Sequence, residues 1–347
     1  MYIKKIILAI ALLGVIGLGI FSYYVYNSIF SPNTKFEQNT TEVFIKTDAD
    51  YKDVIQQLRN KVDDISTFDA VARRKGYANN ILPGRFILKK GMNNNEMINT
   101  LRSQNMPVKV VFNNQERVEN LAGRVAEQIE ADSLSLLKTM RDSTFLAEQD
   151  FTQENALAMY IPNQYEFYWN TSAEEFQARM LKEYKRFWNE NRTQKAEKLN
   201  LNPKSVNVLA SIVQKETAKI DERKRVAGVY MNRYKRGIKL DADPTVIYAV
   251  KKQRQDFDTV IKRVLYKDLK VDSPYNTYMY RELPPGPITM PDISSIEAVL
   301  NYENHDYLYF VADPENPGYH KFAKSLRQHN VNRQAYVRWI NKMGINR

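Results

Sequence analysis

Among the carboxylates of this 347-residue chain, Glu216 has the surroundings best suited to proton chemistry. It lies in the apolar-periodic stretch 206–218 (VNVLASIVQKETA). Leu209, Ile212, Val213 and Glu216 recur at i, i+3, i+4 and i+7. At about 100° per residue that spacing puts the carboxyl inside the apolar arc, while Gln214 and Lys215 point away. Acidic residues seldom occupy such a position without a partner or a task. A carboxyl held against apolar neighbours loses solvation of its charged form, so its pKa rises. A carboxyl still protonated near neutral pH can act as a general acid. The structural alternative is that Glu216 caps nearby backbone or pairs with Arg223, Arg225 or Arg233 on the next helix.

Polar side chains gather in the following segments. Asp241-Ala242-Asp243-Pro244-Thr245 packs carboxylates and a hydroxyl into a turn, and Ser273-Pro274-Tyr275-Asn276-Thr277-Tyr278 adds more hydrogen-bonding groups. Leu283-Pro284-Pro285-Gly286-Pro287-Ile288 is a stiff turn. Asp243, Thr245, Tyr275, Asn276 and Tyr278 are therefore candidate substrate-binding residues. Upstream, residues 159–169 hold Tyr160, Tyr165, Phe167, Tyr168 and Trp169. Tyr165, with Tyr160 and Trp169, is a candidate groove lining, because rings stack on pyranose faces; the same rings also suit a plain core.

Other chemistries are excluded. With no cysteine, thiol nucleophiles, disulfides and Cys-ligated metals are absent. With three histidines and no HExxH, zinc hydrolysis is not expected, and no metal site is assigned. GxxxxGK[ST], GxGxxG and GxSxG motifs are missing. The net charge of +11 suits an acidic polymer, a membrane surface or nucleic acid. No RNP-like motif, zinc finger or basic arm accompanies it, so nucleic acid is not expected as a partner.

These residues require a scaffold. Residues 6–21 are apolar or glycine without interruption, preceded by Lys4 and Lys5 and followed by Tyr23, Tyr24 and Tyr26. This reads as a single transmembrane signal anchor over residues 1–30, with the remaining chain outside the cytoplasm. A cleaved signal peptide is the competing reading, but no A-x-A site follows. Residues 31–38 read as a polar linker. Residues 39–112 show strand, two helices, strand, helix and strand, a small α/β module. Residues 113–347 form a second, mainly helical domain. Asp221 is a candidate N-cap for a helix ending at Gly237. Residues 241–291 read as long ordered loops, 306–311 as a strand and 323–342 as mostly helical. The fold class is α+β.

Three blocks in this order, LASIVQKETAKIDERKRVAGVYMNRYKRGIKLDADPTVIYAV, SPYNTYMYRELPPGPI and YLYFVADPENPGYHKFAKSLRQHN, resemble the endolytic murein transglycosylases, the MltG/YceG-like family. The resemblance covers roughly residues 40–340. It implies one N-terminal membrane helix, a LysM-like subdomain carrying Pro83-Gly84-Arg85-Phe86 and Gly91-Met92, and a lysozyme-like catalytic core. It also implies an extracytoplasmic (periplasmic) catalytic domain and possible association with wall synthases. The KET-type motif puts the catalytic glutamate on Glu216, and His320 falls in the family's HxF block. His329 is expected to be structural. The chain departs from the family at Leu157-Ala158-Met159, where Leu-Glu-Gly is common, and at Pro162-Asn163-Gln164, where Pro-Asp-Thr is usual. A supporting acid from that loop is therefore missing.

The implied reaction cuts the MurNAc–GlcNAc bond inside peptidoglycan strands without water, leaving 1,6-anhydroMurNAc ends and terminating new strands. It requires no cofactor. Two other readings stay open: a wall-binding module without catalysis, and a muramidase that uses water.

Overall fold

The computed structural model describes residues 2–343 and is a mostly helical α+β protein. The chain forms two compact units.

The first unit runs from the N-terminus to Val110 and takes in residues 128–131 and 165–172. It begins with α1 (Tyr2–Phe30), a 29-residue, strongly apolar helix with no residue buried. At 1.5 Å per residue it spans roughly 43 Å, long and apolar enough to cross a membrane. After it come β1 (Thr40–Ile45), α2 (Tyr51–Leu58), α3 (Ile65–Arg74), β2 (Gly84–Lys89), α4 (Asn94–Ser103) and β3 (Pro107–Phe112). β1 and β2 pair antiparallel, from Thr40 opposite Lys89 to Ile45 opposite Gly84. Alternation along the strands turns Val43, Ile45, Phe86 and Leu88 onto α2–α4, where Val54, Leu58, Phe68, Met97 and Leu101 complete a closed core. Residues 31–38, a linker by composition, are pinned: Asn33 donates to Asn94 Oδ1 at 2.8 Å and to the Asp64 carbonyl at 2.9 Å. β3 pairs with β4 (Asn163–Tyr168).

The second unit holds α5 (Val118–Ala126), α6 (Ser133–Met140), α7 (Ser143–Glu148), α8 (Ala173–Phe187), α9 (Glu190–Lys198), α10 (Pro203–Glu216), α11 (Arg223–Lys235), α12 (Asp243–Arg254) and α13 (Ile293–Leu300). The hairpin β5 (Tyr309–Ala312) and β6 (His320–Ala323) follows, then α14 (Leu326–Lys342). α10 is the central element. Asn202 caps it by accepting from Ser205 N, and Pro203 opens it where a missing N–H costs nothing. Val206, Leu209, Ala210, Ile212 and Val213 are buried against Val226, Ala227 and Tyr230 of α11 and Ile296 and Val299 of α13. α11 lies close to the segment after α13. A Cβ on Gly228 would come within 2.6 Å of the Glu303 carbonyl. One turn on, Asn232 donates to the carbonyls of His305 (2.7 Å) and Tyr307 (3.0 Å).

Several elements differ from the sequence expectation. Residues 243–254, read as loop, are helical. Pro244 sits in the first turn, where proline is tolerated, and Val246, Ala249 and Val250 supply a buried face. Asp221 does not cap α11; its N-cap is Glu222, whose side chain makes no capping bond. Gly237 follows α11 with φ +64, the left-handed turn expected there. The strand expected at 306–311 is Tyr309–Ala312, and residues 320–323 form a strand before α14 begins.

Candidate active site

Glu216 is the last residue of α10, and Thr217 turns the chain into extended backbone (φ −137°, ψ 134°). The apolar side of α10 carries Glu216 toward α11, as the helical period requires. There Tyr230 Oη donates to Glu216 Oε1 at 2.6 Å. Tyr230 is itself buried, with its ring edge-on to Phe310 at 5.9 Å. None of Arg223, Arg225 or Arg233 pairs with Glu216. Arg223 holds Asp292 at 3.0 Å, Arg225 holds Glu303 at 3.0 Å, and Arg233 holds Asp241.

Glu216 opens onto a cleft of about 380 Å³ in the second unit. Tyr230, Arg233, Asp241, Asp243, Tyr278, Tyr309 and His329 are among its walls. The carboxyl is only partly exposed. Desolvation is the main influence on it. The Tyr230 hydrogen bond opposes that effect, and the negative charge of Asp243 adds to it, so the pKa is pushed up to about 7. Glu216 is thus divided between acid and carboxylate near neutral pH, the condition in which one group can both give and take a proton.

The other walls are braced. Tyr278 Oη donates to Asp243 Oδ1 at 2.7 Å, which fixes an exposed carboxylate at the start of α12. Arg233 is buried; it donates to the Lys239 carbonyl at 2.8 Å and the Leu308 carbonyl at 3.0 Å, and also holds the Asp241 carboxylate. This guanidinium ties α11 to both the 239–241 turn and the hairpin. His329 stacks on Tyr309 at 5.3 Å, and burial keeps its pKa below the usual value.

The remaining candidates lie elsewhere. Thr245 is fully buried and bonds to the Ala242 carbonyl (2.7 Å) and to Thr277 Oγ1 (2.8 Å). Asn276, also buried, donates to the carbonyls of Leu269 (3.1 Å) and Val271 (2.8 Å) and accepts from Tyr278 N. Both hold the loop that presents Tyr278 and Asp243, and neither lines the cleft. Tyr275 lines a different cavity of the same unit. Tyr160 is core, stacked on Phe176 at 6.3 Å. Tyr165 and Trp169 belong to the first unit, where Trp169 packs on Phe44. Ala158, at the position of the missing acid, is buried.

His320 has a bracing role. Its Nδ1 lies 2.8 Å from Glu222 Oε2 and its backbone N donates to Glu222 Oε1 at 2.7 Å. The same carboxylate accepts from Thr217 Oγ1 at 3.0 Å, so β6 is clamped to the residue after Glu216. Tyr230 and Tyr309 are cleft residues that sequence reasoning did not propose for the site, and His329, expected to be structural, also lines the cleft. Tyr230 repeats at i+4 from Val226 and looks like core packing; only its hydroxyl reveals a second role.

The chain is similar to several known proteins. The chain is 28% identical over 332 residues to the endolytic murein transglycosylase of Bacillus subtilis, covering 89% of this chain and 88% of that one. It is 36% identical over 138 residues to the endolytic murein transglycosylase of Streptococcus pneumoniae, but that match spans only 24% of the relative. A crystal structure of a YceG-like protein from Listeria monocytogenes superposes with a TM-score of 0.57 at 29% identity, covering 85% of this chain and 99% of that one. Residues 43–335 match the YceG-like family, and the chain belongs to that family.

Proposed function

We propose that this protein is an endolytic lytic transglycosylase of peptidoglycan with Glu216 as its single acid/base group. The observation that carries the reading is the half-buried carboxyl at the floor of an open cleft, held near neutral pKa by desolvation and hydrogen-bonded by one buried tyrosine. Neutral Glu216 donates its proton to the oxygen between MurNAc and GlcNAc, and that C–O bond breaks as positive charge grows at MurNAc C1. The Glu216 carboxylate so formed, steadied by Tyr230, takes the proton of the MurNAc 6-hydroxyl as that oxygen closes on C1. The products are a 1,6-anhydroMurNAc end and a GlcNAc hydroxyl, with no net water.

Asp243 and Tyr278, joined at 2.7 Å, are assigned to orienting the sugars. Thr245 and Asn276 act through them by holding their loop. In this reading α1 anchors the protein, the remaining chain lies outside the cytoplasm, residues 39–112 act as a LysM-like module, and cleavage terminates strands still attached to their synthases.

One observation favours a second reading. Asp243 offers a carboxylate on the same cleft as Glu216, as a two-carboxylate hydrolase requires. The products separate the two. Full-length protein in detergent is incubated with purified glycan strands, with Glu216→Gln alongside, and fragments are weighed by mass spectrometry. Internal fragments ending in anhydroMurNAc, absent with Glu216→Gln, are expected. Ends heavier by one water would establish the hydrolase, and cleavage by the variant at the wild-type rate would remove Glu216 from the mechanism.

A further inference from the structure

The second unit has another cleft, of about 510 Å³, walled by the start of α5 and the C-terminal half of α12. Its floor is aromatic: Tyr248 packs against Tyr275 at 4.7 Å and against Phe257 at 5.4 Å. Two cations lie over those rings. The Arg117 guanidinium is 4.3 Å from the Phe257 centroid, and Lys252 Nζ is 4.6 Å from the Tyr275 centroid. The other charges in this region are largely spent. Glu116 accepts from Lys215 and Lys251, and Glu119 pairs with Arg141. Among the described residues, Arg117, Lys252 and Glu154 have no ion-pair partner, and Arg117 Nε is buried with no hydrogen-bond acceptor. A built cleft with two uncommitted cations and one uncommitted carboxylate is complementary to a ligand carrying both signs of charge. A bare sugar fits it less well, since one face of both Phe257 and Tyr275 is already covered by a cation.

We propose that this cleft binds a short peptide with free carboxylates and an ammonium, the branch that muramic acid bears on its lactyl group, and so favours peptide-bearing glycan. The proposal rests on the reading of the Glu216 cleft as a glycan-cleaving site. α12 links the two places. Asp243 at its start lines the first cleft and Lys252, nine residues on, lines the second, roughly 13 Å along the axis at 1.5 Å per residue. That is within reach of a peptide branch from a sugar held at Glu216. Peptide carboxylates would lie against Arg117 and Lys252, and the ammonium against Glu154.

Two measurements on the full-length protein in detergent test this. In the first, the free pentapeptide L-Ala-γ-D-Glu-L-Lys-D-Ala-D-Ala is titrated calorimetrically into wild type, Lys252→Gln and Glu154→Gln. Both altered residues are exposed, so the fold is preserved. Saturable binding is expected, about tenfold weaker in each variant, as for loss of one charge-assisted contact. No binding, equal binding by all three proteins, or displacement by chitotetraose would overturn the proposal. In the second, kcat/KM is compared for strands with their peptides and strands stripped by an amidase. Wild type is expected to prefer the former about tenfold. Lys252→Gln should bring that preference to within about twofold by losing rate on peptide-bearing strands alone. Equal rates on both substrates, or equal losses on both in the variant, would refute selection. If the peptide binds as expected but wild type cuts neither strand, the glycan-cleavage reading fails while peptide recognition stands.

Discussion

Replacing Tyr230 by Phe removes a single hydroxyl and keeps the ring that packs on Phe310. The lost contact is the 2.6 Å hydrogen bond to Glu216. That bond favours the ionised carboxylate and works against desolvation, so removing it raises the Glu216 pKa above its value of about 7. A hydrogen bond to a charged group is worth about 1.5–3 kcal/mol. Cleft water partly replaces it here, which leaves roughly 1.4 kcal/mol, or about one pH unit. The assay is kcat/KM on purified strands from pH 5 to 10. The alkaline limb, which reports loss of the acid in the free enzyme, should move from about 7 in wild type to about 8 in Tyr230→Phe. The acid plateau should fall about threefold, because an acid weaker by one unit transfers its proton more slowly at a Brønsted coefficient near 0.5. A limb that moves down, or by less than about 0.3 unit, would show either that Glu216 is not the titrating acid or that Tyr230 does not stabilise its charge.

Three other outcomes follow from the same geometry. Asp243→Asn removes a negative charge that raises the Glu216 pKa, so its alkaline limb should lie below that of wild type; a rise would refute the electrostatic assignment. Glu216→Gln should gain stability over wild type as pH increases. The native carboxyl binds its proton more tightly than the unfolded chain does, so wild type loses stability between its ordinary pKa of 4.5 and about 7. The difference should grow from near zero at pH 4 to at most about 3 kcal/mol at pH 8.5, measured by thermal unfolding, and a flat difference would contradict a raised pKa. Gly286→Ala drives a Cβ into the Glu154 carbonyl and should destabilise the second unit by about 2–3 kcal/mol; wild-type stability would show that the 283–288 turn yields easily.

The primary sequence by itself marked Glu216, because a helical period is a local property: four residues at i, i+3, i+4 and i+7 define a face wherever the helix is placed. It marked α10, the apolar α1, the β1–β2 strands and the Gly237 turn for the same reason, since caps, apolar runs and left-handed glycines act over a few residues. It did not distinguish Asn276 and Thr245 from Asp243 and Tyr278. All four are polar groups in turn-like segments, and whether each faces a cleft or a neighbouring carbonyl depends on the packing of loops 32 to 35 residues apart. It also misread α12, because an Asp-Pro pair suits both a turn and a helix start, and the choice depends on whether Val246, Ala249 and Val250 have a core to enter. Only the tertiary structure decided that the partner of Glu216 is a tyrosine hydroxyl and not an arginine. That outcome is set by the crossing of α10 and α11, which leaves Tyr230 Oη 2.6 Å from the carboxyl and directs Arg233 to Asp241. The near-neutral pKa arises in the same way, from the apolar mass that distant segments assemble around one side chain.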